Sequence, residues 1–220
     1  VTVSGTDSVW TVDNLIMGHN IANWYSPDSP HKLIISDGAE VQVGGMTQLY
    51  AMGTVNINGG AMSVGKMIDL EAGSTVNLNS GTLSAKNFSG DGSLVWNGGT
   101  LELTGPAGLT VGTSGLLGNF LIIEDDQTLN VTNATTIENG ASLTARGGFS
   151  SDLLKIDSGG QFDVPAGYTN NNEIELSDSD TWITGGVLTN TGFISGQGRI
   201  NTSLTNTGQV EVSNSTLRFG

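Results

Sequence analysis

Apolar and polar residues alternate in short runs along the whole chain. Val41 and Val43 alternate with Glu40 and Gln42, Val55 and Ile57 with Thr54, Asn56 and Asn58, and Val76 and Leu78 with Thr75 and Asn77. The same pattern recurs at 100–103, 128–131, 142–145 and 209–212. A period of two turns one face of a strand inward and the other to water. Gly and Asn punctuate the runs at 37–38, 58–60, 80–81, 97–99, 139–140 and 158–160, and these residues accept the positive φ of tight corners. The helix-like stretch at 66–71 is short and is followed by Gly73. The pattern predicts an all-β protein.

Hairpin closure of these strands would give a sandwich or an up-and-down barrel. Three features point instead to a parallel β-helix, or β-solenoid. A turn followed by alternating residues is echoed as NGGAMSV, NSGTLSA, NGGTLEL, ENGASLTA and NTGQVEV, and LTNTG occurs at both 188–192 and 204–208. The echoes are spaced like coils: Gly59 to Gly81 is 22 residues, Gly81 to Gly98 is 17, and Gly192 to Gly208 is 16. The runs also carry little charge. Like residues stacked about 4.8 Å apart repel when charged, whereas Asn and Thr can form hydrogen-bonded ladders. About 20 residues per coil predicts roughly ten coils in a single solenoid domain over 1–220, about 50 Å long.

Composition narrows the partners. Glycine supplies 33 of 220 residues, yet 36% are hydrophobic, so the chain is not a disordered linker. With 21 acidic and 7 basic residues the net charge is -14. Seven scattered cations are a poor match for nucleic acid or for an anionic membrane surface, and no apolar run reaches the ~18 residues of a membrane span. Cysteine is absent, which removes disulfide and thiol chemistry. The start at Val1-Thr2-Val3, already strand-like, reads as that of a processed or excised segment.

Two stretches carry a family resemblance. SGTDSVWTV at 4–12, LIMG at 15–18 and LIISDGA at 33–39 resemble a repeat shared by autotransporter passengers and PEP-CTERM-type surface proteins. The C-terminal LTNTG-FISGQGRI-NTSLTNTGQVEV is similar to coils of the same bacterial group. The resemblance implies a right-handed parallel β-helix exposed on the cell exterior, and it implies no activity. This chain departs from the repeat over 18–32, where a longer loop replaces a short corner. That loop holds His19, His31, Trp24 and Tyr25, the expected partner contacts, because loops on a rigid scaffold are where specific contacts are placed.

Chemistry is sparse. The two histidines lack zinc-ligand spacing, and no cofactor is expected. Calcium is the one ion with a compositional case, at Glu124, Asp125 and Asp126 and at Asp178 and Asp180, although neither cluster fits a known loop motif. Catalytic residues are not expected. Glycoside hydrolysis needs converging carboxylates, and adjacent Asp125 and Asp126 would point to opposite faces of a strand. Trp10 and Trp182 read as inward core residues. The strand-like ends place Val1, Val3, Leu217 and Phe219 at subunit-end contacts. The expectation is an extracellular bacterial structural protein, not an enzyme, stacking head to tail with itself in a fibre, sheath or surface layer. Extracellular glycan or matrix is the second partner class. The alternatives are the stalk of an adhesin and a polysaccharide-active β-helix enzyme.

Overall fold

The computed structural model describes residues 1–18 and 30–220, and no helix forms among them. Two compact units are present. Unit 1 comprises Val1–Gly105 with Asp126–Thr128, and unit 2 comprises Pro106–Asp125 with Leu129–Gly220. Both are parallel β-solenoids, with about nine turns in all. Every strand pairing with a defined register is parallel, which rules out the sandwich and the up-and-down barrel.

Unit 1 is built from three-stranded coils. The first coil contains β1 (Thr2–Ser4), β2 (Val9–Val12) and β3 (Leu15–Met17), and the second β4 (His31–Ser36), β5 (Glu40–Val43) and β6 (Thr47–Leu49). In β7 (Gly53–Leu70) and β8 (Thr75–Ser89) one continuous strand bends through all three sides. Next come β9 (Ser93–Trp96) and β10 (Gly99–Leu103). The step from one coil to the next is read from register. Glu40 lies beside Ala61 and Thr54 beside Thr75, steps of 21 residues. Thr2 lies beside Ile34 and Val9 beside Glu40, steps of 32 and 31. The longer first step accommodates the segment between Gly18 and Pro30.

The alternation seen in the sequence is the alternation of burial. Val55, Ile57, Met62, Val64, Ile68 and Leu70 of β7 point inward and are at most 4% exposed, while the residues between them, apart from the corner Gly60, face out. Columns of apolar residues then stack coil on coil: Ile35 on Ile57 on Leu78, and Val41 on Met62 on Leu83. Each buried aliphatic side chain contributes about 1.5–3 kcal/mol of transfer free energy. On the outside Asn77 donates to Asn56 at 2.7 Å, and Asn97 and Asn79 donate to Asn79 and Asn58 at 2.7 and 2.8 Å.

Unit 2 begins with β11 (Leu109–Val111), β12 (Phe120–Ile123) and β13 (Gln127–Ile137), of which Gln127 and Thr128 belong to unit 1. It continues through β14 (Ser142–Ala145), β15 (Gly148–Ile156), β16 (Gln161–Val164), β17 (Tyr168–Asn170) and β18 (Glu173–Leu176). The last coils are formed by β19 (Trp182–Gly185), β20 (Leu188–Asn190), β21 (Phe193–Asn201), β22 (Leu204–Asn206) and β23 (Gln209–Phe219).

The repeated LTNTG stacks on itself. Leu188, Thr189 and Asn190 lie beside Leu204, Thr205 and Asn206, with Tyr168, Thr169 and Asn170 one coil earlier. Asn170 and Asn190 are buried, and each Nδ2 donates to the next Oδ1 at 2.7 Å. Thr191 Oγ1 donates to the Asn170 carbonyl at 3.1 Å. A Cβ on Gly208 would overlap the Gly192 carbonyl, so the final residue of the phrase must be small.

Candidate functional site

The inward columns reveal which surfaces are left uncovered. Val3, Trp10, Val12 and Met17 of the first coil lie beside Ile35, Val41, Val43 and Leu49 of the second. The second set is 0–2% exposed, whereas every member of the first is half-buried. Val1, the other residue expected at this end, is 77% exposed, and its ammonium donates to the Lys32 carbonyl at 2.7 Å. A depression of about 260 Å³ opens here, lined by residues that include Trp10, Met17, His31 and Lys32. His31 Nδ1 accepts the Gly18 N–H at 3.1 Å. His19, Trp24 and Tyr25, the other expected partner contacts, lie outside the described residues.

The last coil of unit 2 repeats the contrast. Val210 and Phe219 lie beside Ile194 and Ile200, both 0% exposed, yet Val210 is half-buried and Phe219 is 54% exposed. Val212, beside Gly196, is 51% exposed. Leu217, named with Phe219 from the sequence, lies beside Gly198 and is buried.

A second recess of about 400 Å³ follows a corner of unit 1. Thr11, Gln42, Ser63, Ser84 and Thr104 supply hydroxyl and amide groups, and Lys86 an ammonium. Gly44 and Gly65 leave backbone bare between them, and a Cβ on Gly65 would overlap the Gly44 carbonyl. This trough offers hydrogen bonds and one positive charge to a polar chain.

The acidic candidates separate. Glu124 pairs with Arg146 at 3.0 Å within unit 2, whereas Asp126 belongs to unit 1, where its carbonyl accepts the Gly99 N–H at 2.9 Å. Asp178 accepts hydrogen bonds from the Ser158 side chain and the Asp180 N–H, and these hold its carboxyl below the usual range. Among the described residues no three His, Asp or Glu side chains gather as a metal site. Trp10 faces inward as expected, but Trp182 does not. Its neighbour Ile183 takes the core position at 0% exposure, and the Trp182 ring lies outside under the Arg199 guanidinium, 5.1 Å from the ring centroid.

Sequence reasoning had no signal for two other features. One is the aromatic cluster of Phe149, Phe162 and Tyr168, whose ring centroids lie 5.2–5.8 Å apart. Burial there pushes the Tyr168 hydroxyl up to about 12. The other is the alignment of Arg199 beside Arg218, which only the register shows. No protein-family model matches this chain, and no curated protein or solved structure is significantly similar to it.

Proposed function

We propose that the protein is a structural β-solenoid of the bacterial cell exterior whose copies join head to tail in a fibre, sheath or surface layer. The carrying observation is the contrast between equivalent inward positions: buried at Ile35, Val41, Val43 and Leu49, only half-buried at Val3, Trp10, Val12 and Met17. A further coil laid on this face would bury the apolar row and pair the outer main-chain groups, the strand addition by which sheets join. The row at Val210, Val212 and Phe219 is the complementary surface on a second copy. A heterologous joint of this kind does not close, so it propagates. The extracellular setting is supported by the likeness of residues 4–39 and 188–212 to bacterial surface repeats.

Sedimentation velocity over a hundredfold concentration range tests the joint. The wild type is expected to grow in mass with concentration, and Val12→Lys, which places a charge in the uncovered column, to remain single. A wild type that stays monomeric throughout overturns the reading. In that case the autotransporter-like phrases favour the stalk of an adhesin, in which continuing chain covers the same faces.

A further inference from the structure

Only seven residues of this chain are basic, yet two of its arginines stand directly beside one another in unit 2. Arg199 of β21 and Arg218 of β23 are register partners on adjacent parallel strands, on the outward column that also holds Trp182. Like charges placed opposite each other across a strand pair are destabilising. Neither guanidinium forms an ion pair among the described residues, where the salt bridges are Arg146 with Glu124 and Lys155 with Asp157. Asp178, which accepts hydrogen bonds from Ser158 and the Asp180 N–H, forms no ion pair with either arginine.

Two further observations bear on the same place. Arg199 Nε is shielded from solvent and has no hydrogen-bond partner. A buried donor left unmade carries a desolvation penalty, which marks this guanidinium as costly to hold here without a counter-charge. Arg199 also lies over the Trp182 ring. Stacking occupies the face of a guanidinium and leaves its in-plane N–H groups free for an oxyanion. Around these groups a recess of about 150 Å³ is lined by Ser179, Gly198, Arg199, Thr216 and Arg218. It therefore combines two guanidiniums with two hydroxyls.

We infer that this recess binds a single oxyanion, a sulfate or carboxylate group, held between Arg199 and Arg218 with Ser179 and Thr216 as hydroxyl donors. The protein as a whole carries a charge of -14, so diffuse attraction would not concentrate anions here, and binding has to come from the local pair. All its groups belong to one unit of one chain, and because Thr216 and Arg218 lie on the last coil, where the proposed joint would form, the test uses protein that sedimentation shows to be single.

Isothermal titration of the full chain with sodium sulfate, against sodium chloride at matched ionic strength, tests the inference. Sulfate is expected to bind saturably with one site per chain. Arg218→Gln, an exposed position, should weaken it at least about tenfold, the size of one lost charge-assisted hydrogen bond. Arg199→Lys keeps the charge but loses the planar fork, and should weaken it as well. A sulfated or uronate oligosaccharide that binds more tightly than free sulfate would identify a glycan as the source, and equal affinity would identify a free ion. No difference between sulfate and chloride, or undiminished sulfate binding by Arg218→Gln, overturns the site. Circular dichroism of each variant separates loss of binding from loss of fold.

Discussion

Asn190 shows how a single side chain does several jobs in this architecture. Its Nδ2 donates to Asn206 Oδ1 at 2.7 Å and to the Gln209 carbonyl at 3.2 Å, while its Oδ1 receives Asn170 Nδ2 at 2.7 Å. Asn190→Ala leaves one N–H of the buried Asn170 amide unmade, the other donating to the Phe193 carbonyl at 3.0 Å, and is expected to cost about 1–3 kcal/mol, read as a lower urea midpoint with an unchanged slope. Tyr168 makes a pH-dependent contribution. Its hydroxyl is pushed up to about 12 by burial, above the ordinary value near ~10. The folded state therefore holds the proton more tightly, and the stability this contributes is complete below about pH 10 and lost as pH rises through about 12. Tyr168→Phe should flatten the loss of stability over that window; an unchanged pH profile would contradict the assignment. Alternation in the sequence already puts Asn190 on the same face as Leu188. What it could not show is that an inward amide is tolerable, because that depends on the partners brought by neighbouring coils. Trp182 was misread for a related reason. In a strand only one of Trp182 and Ile183 can face inward, and the cation that makes the outer position favourable for the indole arrives one coil later.

Strands and corners were the legible level. Period-two runs, Gly-Asn corners and the LTNTG echo mark most of the strands, since each coil repeats the demands of its neighbour. The inserted segment was legible as an interruption of the repeat, and it accounts for the first step of 31–32 residues. The step of 26 residues from Leu109 to Thr135 was not. It contains a compact turn in which the Gly112, Gly115 and Gly118 N–H groups donate to the carbonyls of Gly118, Gly112 and Gly115 at 3.0–3.1 Å, and such closure leaves no period behind. Corner glycines are not equivalent. Gly81 has φ +90 and a Cβ there would overlap the Gly60 carbonyl, whereas Gly140 has φ +71 and open space around it. Gly140→Ala should cost only the left-handed backbone term of about 1–2 kcal/mol. Gly81→Ala should cost clearly more, because the backbone of the neighbouring coil must also move. Equal losses in thermal unfolding would show that coils are not packed as closely as the fold requires.

At the largest scale the governing quantities are the charge of -14 carried by these 220 residues and the two apolar rows on their first and last coils. Copies approaching one another repel over roughly a Debye length, about 8–10 Å at ordinary ionic strength. Added salt should therefore promote joining, since it screens the repulsion and leaves apolar burial intact. The strand-like ends already pointed to Val3 and Phe219, but not to Trp10, Val12, Met17, Val210 and Val212 beside them. Whether an inward residue is covered depends on the coil above it, which a single chain's pattern does not display. The most direct test of the structural reading is cryo-electron microscopy of the purified protein at rising concentration and salt. The account predicts filaments whose strands lie across the axis and repeat about every 4.8 Å along it. Isolated particles under every condition, or filaments without that axial spacing, would contradict it.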